Sequence, residues 1–326
     1  MKKKVLIIRF NSIGDLVLTT PVIDALYDND FEIHYLVKEV FSSILIPNPK
    51  VKKVWTLDDN LSAVVKDLKK QNFNFVIDLH NNFRSKKVAS ALKVKKYTFY
   101  KPRIKYWLMT KLGIKSKSEG HIVDRFLKVI SPIIKTIEKP KVSFHFSNEL
   151  NSSDLKKLPE AFVAVVVGTA FKTKTIPVEK LINVIDQIDS KFVLIGGPDD
   201  VELGKTIENQ VTKPLTNLVG QLSINDSARV IEKSDLVLTG DTGMMHISAA
   251  MDKKIVAVFG STHPVLGYSP YSNDDQNRSA IIQNESLNCR PCTKQGRHSC
   301  PKGHFKCMRE LSIDKIVQVV QEKLEI

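Results

Sequence analysis

Lys4-Val5-Leu6-Ile7-Ile8-Arg9-Phe10 runs directly into Asn11-Ser12-Ile13-Gly14-Asp15, and this stretch decides the architecture. A continuous apolar run that stops at a glycine-bearing loop fits a strand buried on both faces of a parallel sheet. A helix is expected around Pro21 to Tyr27, with proline in its first turn. Strands over Glu32–Val37, Lys53–Leu57 and Phe75–Leu79, with a helix over Leu61–Gln71, continue a βαβ pattern. The lysines ahead of Val5 imitate a signal peptide, but the apolar run is too short and Arg9 and Asn11 follow at once. No apolar stretch approaches the roughly 18 residues needed to cross a bilayer.

The same grammar restarts at Phe162–Val167. It continues through helices Val178–Ile188, Asp199–Asn209 and Ile224–Lys233, strands Phe192–Ile195, Leu236–Thr239 and Ile255–Phe259, a helix opening at Gly243, and a last helix over Ile313–Leu324. A polar, turn-rich stretch around 136–160 separates the halves. The expectation is an α/β protein of two Rossmann-like, doubly wound domains facing a cleft. Residues 1–155 form the first and 156–310 the second, and the helix in 311–326 crosses back to the first. In such open sheets ligands bind beyond the carboxyl ends of the strands, so the loops that follow strands should carry the chemistry.

The 326 residues are enough for two domains, and 42% apolar with 26% charged residues describe a folded chain. The net charge of +14 favours anionic partners. Of the 49 cations 40 are Lys and 9 are Arg, which disfavours base-specific DNA reading, an arginine task. Lys86 to Ser118 holds 11 Lys or Arg and no Asp or Glu, with Tyr97, Phe99, Tyr100, Tyr106, Trp107, Leu108 and Met109 between them. That mixture fits an anionic membrane surface. RNA binding and a merely solvated face are the competing readings.

Four loops stand out. Ser12, Gly14 and Asp15 follow the first strand, with Asp15 either capping a helix or serving as a general base. Gly168 to Pro177, which includes Thr169, Lys172 and Lys174, resembles a phosphate cradle but fails the P-loop spacing. Thr239-Gly240-Asp241-Thr242-Gly243-Met244-Met245-His246 leads a strand into a helix whose N-terminus suits a diphosphate. There Asp241 is better placed to accept hydrogen bonds from sugar hydroxyls, and His246 reads equally as a core histidine. Gly260 to Pro264 is a weak signal alone. The one D-x-D, Asp28-Asn29-Asp30, lies on the wrong side of the sheet and reads as a turn.

Taken in order, these loops resemble the heptosyltransferases of glycosyltransferase family nine. Ser12, Gly14, Asp15, Thr19 and Pro21 match the early S-x-G-D-x-x-x-T-x-P. Asp78-Leu79-His80-Asn81-Asn82-Phe83-Arg84-Ser85 matches D-L-x-x-N-x-R-S, and Lys174 to Pro177 matches K-x-W-P with Ile176 in place of Trp. Asp241 to Ala250 matches D-[ST]-G-x-x-H-x-A-A, Gly260 to Pro264 matches G-x-T-x-P, and Cys289, Pro291, Cys292, Cys300, Cys307 and Met308 match a late cysteine pattern. The resemblance implies a GT-B fold, an ADP-heptose-like donor and an inner-core lipopolysaccharide acceptor. It also implies inverting transfer that needs no cofactor or catalytic metal. By position Asp15 is the base and Lys174 meets the diphosphate. Thr242 and Gly243 meet it through the backbone, and Asp241 holds the sugar. Thr169, Lys172 and His246 join the donor site, while Ser12, Gly14, Asn82 and Arg84 face the acceptor. The protein is then cytoplasmic, peripheral at the inner face of the inner membrane, and has no nucleic-acid partner. The rival readings are another GT-B sugar-nucleotide enzyme, such as an epimerase, and a basic nucleic-acid-binding protein.

The four cysteines, Cys289, Cys292, Cys300 and Cys307, lie within one local cluster, which points to a reducing compartment. A structural zinc held by these thiolates, with His298 and His304 as substitutes, stands beside small buried thiols and a disulfide.

Overall fold

The computed structural model describes residues 2–135, 141–146, 155, 158–271 and 278–325. The chain divides into two compact units, residues 1–102 with 120–148 and residues 103–119 with 149–326. The expected boundary at 155/156 falls in a stretch most of which lies outside the described residues. The basic segment does not stay in one piece, because Arg103–Glu119 clusters with the second unit.

The first unit carries strands β1 (Lys3–Ile8), β2 (Phe31–Lys38), β3 (Val51–Leu57), β4 (Phe75–Asp78) and β5 (Lys95–Thr98). They form one sheet in the order β3-β2-β1-β4-β5, and every pairing is parallel. Helices α1 (Ile13–Val17), α2 (Thr20–Asp28), α3 (Leu61–Lys69), α4 (Phe83–Ala91) and α6 (Ile122–Ile130) also belong to it. Leu6, Ile8 and Phe10 pack with Leu36, Leu68, Val76 and Val88 on one face, where α3 and α4 supply the cover. Val5 and Ile7 are equally buried on the other face. Burial on both faces explains why β1 reads as an unbroken apolar run. Asp28 and Asp30 sit where α2 turns into β2, with Asp30 at φ 65° and paired to Lys2.

The second unit holds α5 (Arg103–Leu112) and the strands β6 (Val163–Val166), β7 (Phe192–Ile195), β8 (Thr216–Asn217), β9 (Leu236–Gly240), β10 (Lys254–Phe259) and β11 (Ser279–Gln283). Their order is β11-β10-β9-β6-β7-β8, again all parallel. Helices α7 (Val178–Gln187), α8 (Val201–Gln210), α9 (Ile224–Lys233), α10 (Gly243–Ala250), α11 (Lys306–Arg309) and α12 (Ile313–Glu325) cover it. Ile316, Val317 and Val320 of α12 lie in this unit's core beside Val184, Leu238 and Val256, so the last helix places its buried side chains there. Ile176 is buried in the same core.

Each sheet has a point where consecutive connections leave in opposite directions. In the first unit it lies between β1 and β4, and in the second between β6 and β9. Loops diverge there and open a crevice at the carboxyl ends of the strands.

Candidate active site

At the first switch point, Arg9 directly follows β1 and organises the loop there. Its Nε donates to the Asn11 carbonyl at 2.8 Å and its Nη1 to the Leu79 carbonyl at 2.7 Å, joining the loops after β1 and β4. Its Nη2 lies 2.5 Å from Asp15 Oδ2. Ser12 Oγ donates to the same oxygen at 3.1 Å. Asp15 Oδ1 is buried with no hydrogen-bond partner among the described residues, leaving an acceptor that a hydroxyl would satisfy. Burial acts to raise the Asp15 carboxyl. The Arg9 charge and the hydrogen bonds from Arg9 and Ser12 outweigh it and hold the group below its ordinary value, so Asp15 is ionised at neutral pH. His80 stands beside this pair, its ring 4.9 Å from Phe10. Burial, then the charges of Arg9 and Lys101, push it down to about 3, and it is neutral at pH 7.

Asn82 caps α4, its Oδ1 accepting from the Ser85 amide at 2.8 Å while Ser85 Oγ accepts from the Asn82 amide at 2.9 Å. Asp78 fastens this turn by accepting from the amides of His80 and Asn81 and from Ser85 Oγ. Most of the D-L-x-x-N-x-R-S pattern thus builds a strand-to-helix turn. Arg84 is half-buried and reaches the Asp58 carbonyl at 3.5 Å. Gly14 is buried within α1.

At the second switch point, the loops after β6 and β9 come together. Lys174 ends a single 3-10 turn, Lys172–Lys174, and its Nζ lies 3.0 Å from Asp241 Oδ2. Thr262, from the loop after β10, donates to that same oxygen at 2.7 Å. A Cβ on Gly240 would lie 2.6 Å from the Lys174 carbonyl oxygen, so the close approach of the two loops requires glycine there. Thr242 caps α10, accepting from the Met245 amide at 3.2 Å, and hydrogen-bonds Thr239 at 3.0 Å. The ammonium therefore stands beside a helix N-terminus, and both favour an anion. Thr169 binds inward to the Phe171 carbonyl at 2.6 Å and to Thr175 at 3.1 Å, and so shapes the loop. Lys172 is exposed, and His246 is buried in α10.

The cysteine segment lies far along the sequence yet packs against this site. Buried Thr173 exchanges hydrogen bonds with Arg297, which donates its amide to Thr173 Oγ1 at 2.8 Å. Ser261 Oγ donates to Thr173 Oγ1, also at 2.8 Å. Gly296, at φ +107°, brings its backbone against Phe171 and the Lys174 side chain. Arg290 donates to the carbonyls of Phe259, Gly260, Thr262 and Asn284 and thereby fixes the loop that carries Thr262. The segment is a buttress of the Lys174–Asp241 pair, and sequence distance concealed it.

A structural zinc on Cys289, Cys292, Cys300 and Cys307 is not supported. Among the described residues no group of three or more His, Cys, Asp or Glu is placed to hold a metal ion. The thiols are free, and Cys307 is turned into the second unit's core by α11. Burial pushes the Cys307 thiol up to about 11.

Arg9, His80, Thr173 and Arg290 were not among the expected site residues. Arg9 carried a signal, an arginine closing an otherwise apolar strand. Arg290 carried none, because its partners are main-chain carbonyls.

Comparison with known proteins places the chain in a family. A lipooligosaccharide heptosyltransferase 2 of Campylobacter jejuni is 25% identical over 342 residues, covering 96% of each chain. A family 9 glycosyl transferase from Veillonella parvula superposes with a TM-score of 0.80 at 19% identity, over 100% of this chain and 98% of that one. The Escherichia coli heptosyltransferase WaaC, solved with ADP, gives 0.70 at 19% identity over 98% and 99%. Both likenesses establish the GT-B fold. The profile of glycosyltransferase family 9 (heptosyltransferase) matches residues 61–299, well over half of the chain, and the protein belongs to that family of enzymes.

Proposed function

We propose that this glycosyltransferase moves a heptose, or a similar sugar, from an ADP-sugar to the inner core of a lipopolysaccharide or lipooligosaccharide, with inversion at the anomeric carbon. The observation that carries the reading is the Lys174–Asp241 pair at the switch point of the second unit, beside the capped N-terminus of α10. The Campylobacter jejuni relative is named for lipooligosaccharide, and the Escherichia coli enzyme was solved with ADP. Both are in keeping with a nucleotide diphosphate at this cation.

In this mechanism the acceptor hydroxyl gives its proton to Asp15. The acceptor oxygen forms its bond to the anomeric carbon as the bond from that carbon to the diphosphate oxygen breaks. ADP then leaves with the negative charge. The transition state resembles that of glycoside hydrolysis, with positive charge spread over the sugar ring. Lys174 and the α10 N-terminus, with the Thr242 and Gly243 amides, stand where negative charge develops. Fixed donors of this kind lower a barrier by about 3 kcal/mol each. Asp241 accepts from sugar hydroxyls, and Thr169, Lys172 and His246 complete the donor side. Ser12, Gly14, Asn82 and Arg84 remain assigned to the acceptor, Asn82 through the turn it caps. Asp15 is held ionised by Arg9, so it is a weak base before reaction. It takes the proton only as the attacking oxygen becomes acidic in the transition state. A peripheral position at the cytoplasmic face of the inner membrane goes with this reading.

The test is ADP release from ADP-heptose with and without a heptose-free lipid A–Kdo acceptor. Release that depends on acceptor, with one added heptose in the product, supports the reading. Acceptor-independent loss or epimerisation of the sugar overturns it.

A further inference from the structure

The second unit's α5 (Arg103–Leu112) turns Tyr106 and Met109 inward, where they pack on Leu266, Val265 and Tyr268. This accounts for only one side of the helix. Ile104 is 78% exposed and Trp107 53% exposed, and Leu112 and Ile114 are exposed as well. Positions 104 and 107 lie on one helical face, and the exposed 111 and 112 continue it. Ile104, Trp107 and Leu112 thus share the exposed side of α5 with Lys111, and Ile114 follows just beyond the helix end. Lys111, Lys115 and Lys117 are exposed around them. The one acidic residue between 103 and 119 is Glu119, and Lys105 already pairs with it.

We propose that α5 and the segment continuing through Lys117 dock on an anionic phospholipid surface, with Ile104, Trp107, Leu112 and Ile114 entering the interface and the lysines meeting the headgroups. Three observations favour that occupant. An apolar stripe framed by cations of one sign is the pattern of helices that lie in the membrane interface, and indole rings prefer that depth. RNA would exploit the lysines, but Ile104, Leu112 and Ile114 offer no ring for base stacking. A second copy packed stripe to stripe would bring the same lysines face to face across a two-fold contact. None of the described helices is long and apolar enough to cross a membrane, so attachment of this kind is at the surface. The proposal deepens the peripheral position in the reading above. It is separable from that reading, because acceptor-dependent ADP release does not require vesicles.

The chain has two tryptophans, so Trp55→Phe leaves Trp107 as the sole indole. That variant would be titrated with vesicles of phosphatidylcholine alone and of phosphatidylcholine with phosphatidylglycerol. The expected result is a blue shift and co-sedimentation with the anionic vesicles only, reversed by salt. In the otherwise native chain, Ile104→Ser/Trp107→Ser should weaken sedimentation at least tenfold. Lys111→Gln/Lys115→Gln/Lys117→Gln should weaken it about a hundredfold, near fivefold for each lysine. Neither should change the unfolding midpoint or ADP release with a detergent-dispersed acceptor. Equal binding to neutral vesicles, or anionic binding that survives both variants, overturns the proposal. So does single-stranded RNA binding without vesicle binding, or a dimer that Trp107→Ser dissociates without vesicle binding.

Discussion

Lys174 Nζ lies 3.0 Å from Asp241 Oδ2, and the pair joins the loops that diverge at the switch point of the second sheet. Each partner neutralises the other. In the proposed function, a diphosphate takes over part of the Lys174 charge and Asp241 then accepts from sugar hydroxyls.

The pair's two members should therefore differ in what they do when removed. Lys174→Met leaves Asp241 a largely buried carboxylate with Thr262 as its remaining side-chain donor among the described residues, and should cost about 3 kcal/mol in urea unfolding. Asp241→Asn should cost less, and the double variant less than the sum. ADP affinity, measured by calorimetry, should fall at least tenfold in Lys174→Met and change little in Asp241→Asn. The latter should lose kcat.

Arg9 sets the acidity of Asp15. With the folded carboxyl held below its usual 3.8, the stability gained from the ion pair is present above that value and is lost as pH falls through the depressed one. The acid limb of the rate profile should accordingly lie below 3.8. Arg9→Gln removes the charge and leaves burial, which raises the carboxyl, so the limb should move upward past 3.8. A profile in Arg9→Gln that coincides with wild type would separate Arg9 from the base.

His80 is neutral in the fold and must gain a proton on unfolding below its ordinary 6.5. The unfolded chain then binds more protons than the native one, so stability should decline as pH falls from 6.5 toward 3, ahead of the carboxylates. His80→Gln should flatten part of that slope in denaturant melts. His34, His145 and His263 are shifted down by burial too and add to the slope in the same direction.

Gly296 tests the buttress. A methyl group there would meet Phe171 Cβ at 2.6 Å and Lys174 Cδ at 2.8 Å, in a backbone conformation at φ +107° that disfavours side chains. Gly296→Ala should destabilise by about 2 kcal/mol and weaken ADP binding, although the residue bears no functional group. Unchanged ADP affinity would show that the cysteine segment does not support Lys174.

Much of this was legible in the chain. The strands β1, β4, β6, β7, β9 and β10 are buried on both faces and advertise themselves as apolar runs. The loops after them followed from the rule for open parallel sheets. Of the four edge strands only β3 was read, and β5, β8 and β11 were missed. Lys95–Thr98 and Thr216–Asn217 lie at sheet edges, where nothing demands apolar residues. Helix α6 was lost beside the polar stretch, despite Ile122, Val123, Phe126, Leu127 and Ile130 falling on one buried side. In the site, Lys174 and Asp241 could be named but not paired, since pairing is a property of the fold. Arg290 acts on backbone carbonyls and leaves no pattern to read. The cysteines suggested a metal by spacing alone, and among the described residues no group of three or more ligating side chains is placed to hold one.

The central claim is that Asp15 supplies the base while the second unit's Lys174 and Asp241 hold the donor. Asp15→Asn keeps the size of the side chain and removes the proton acceptor. Its kcat with a heptose-free acceptor, measured alongside its ADP affinity, tests the division of labour directly. The account predicts a loss of about a hundredfold or more in kcat with ADP affinity unchanged. Turnover within a few-fold of wild type, or ADP affinity falling in step with kcat, would contradict it.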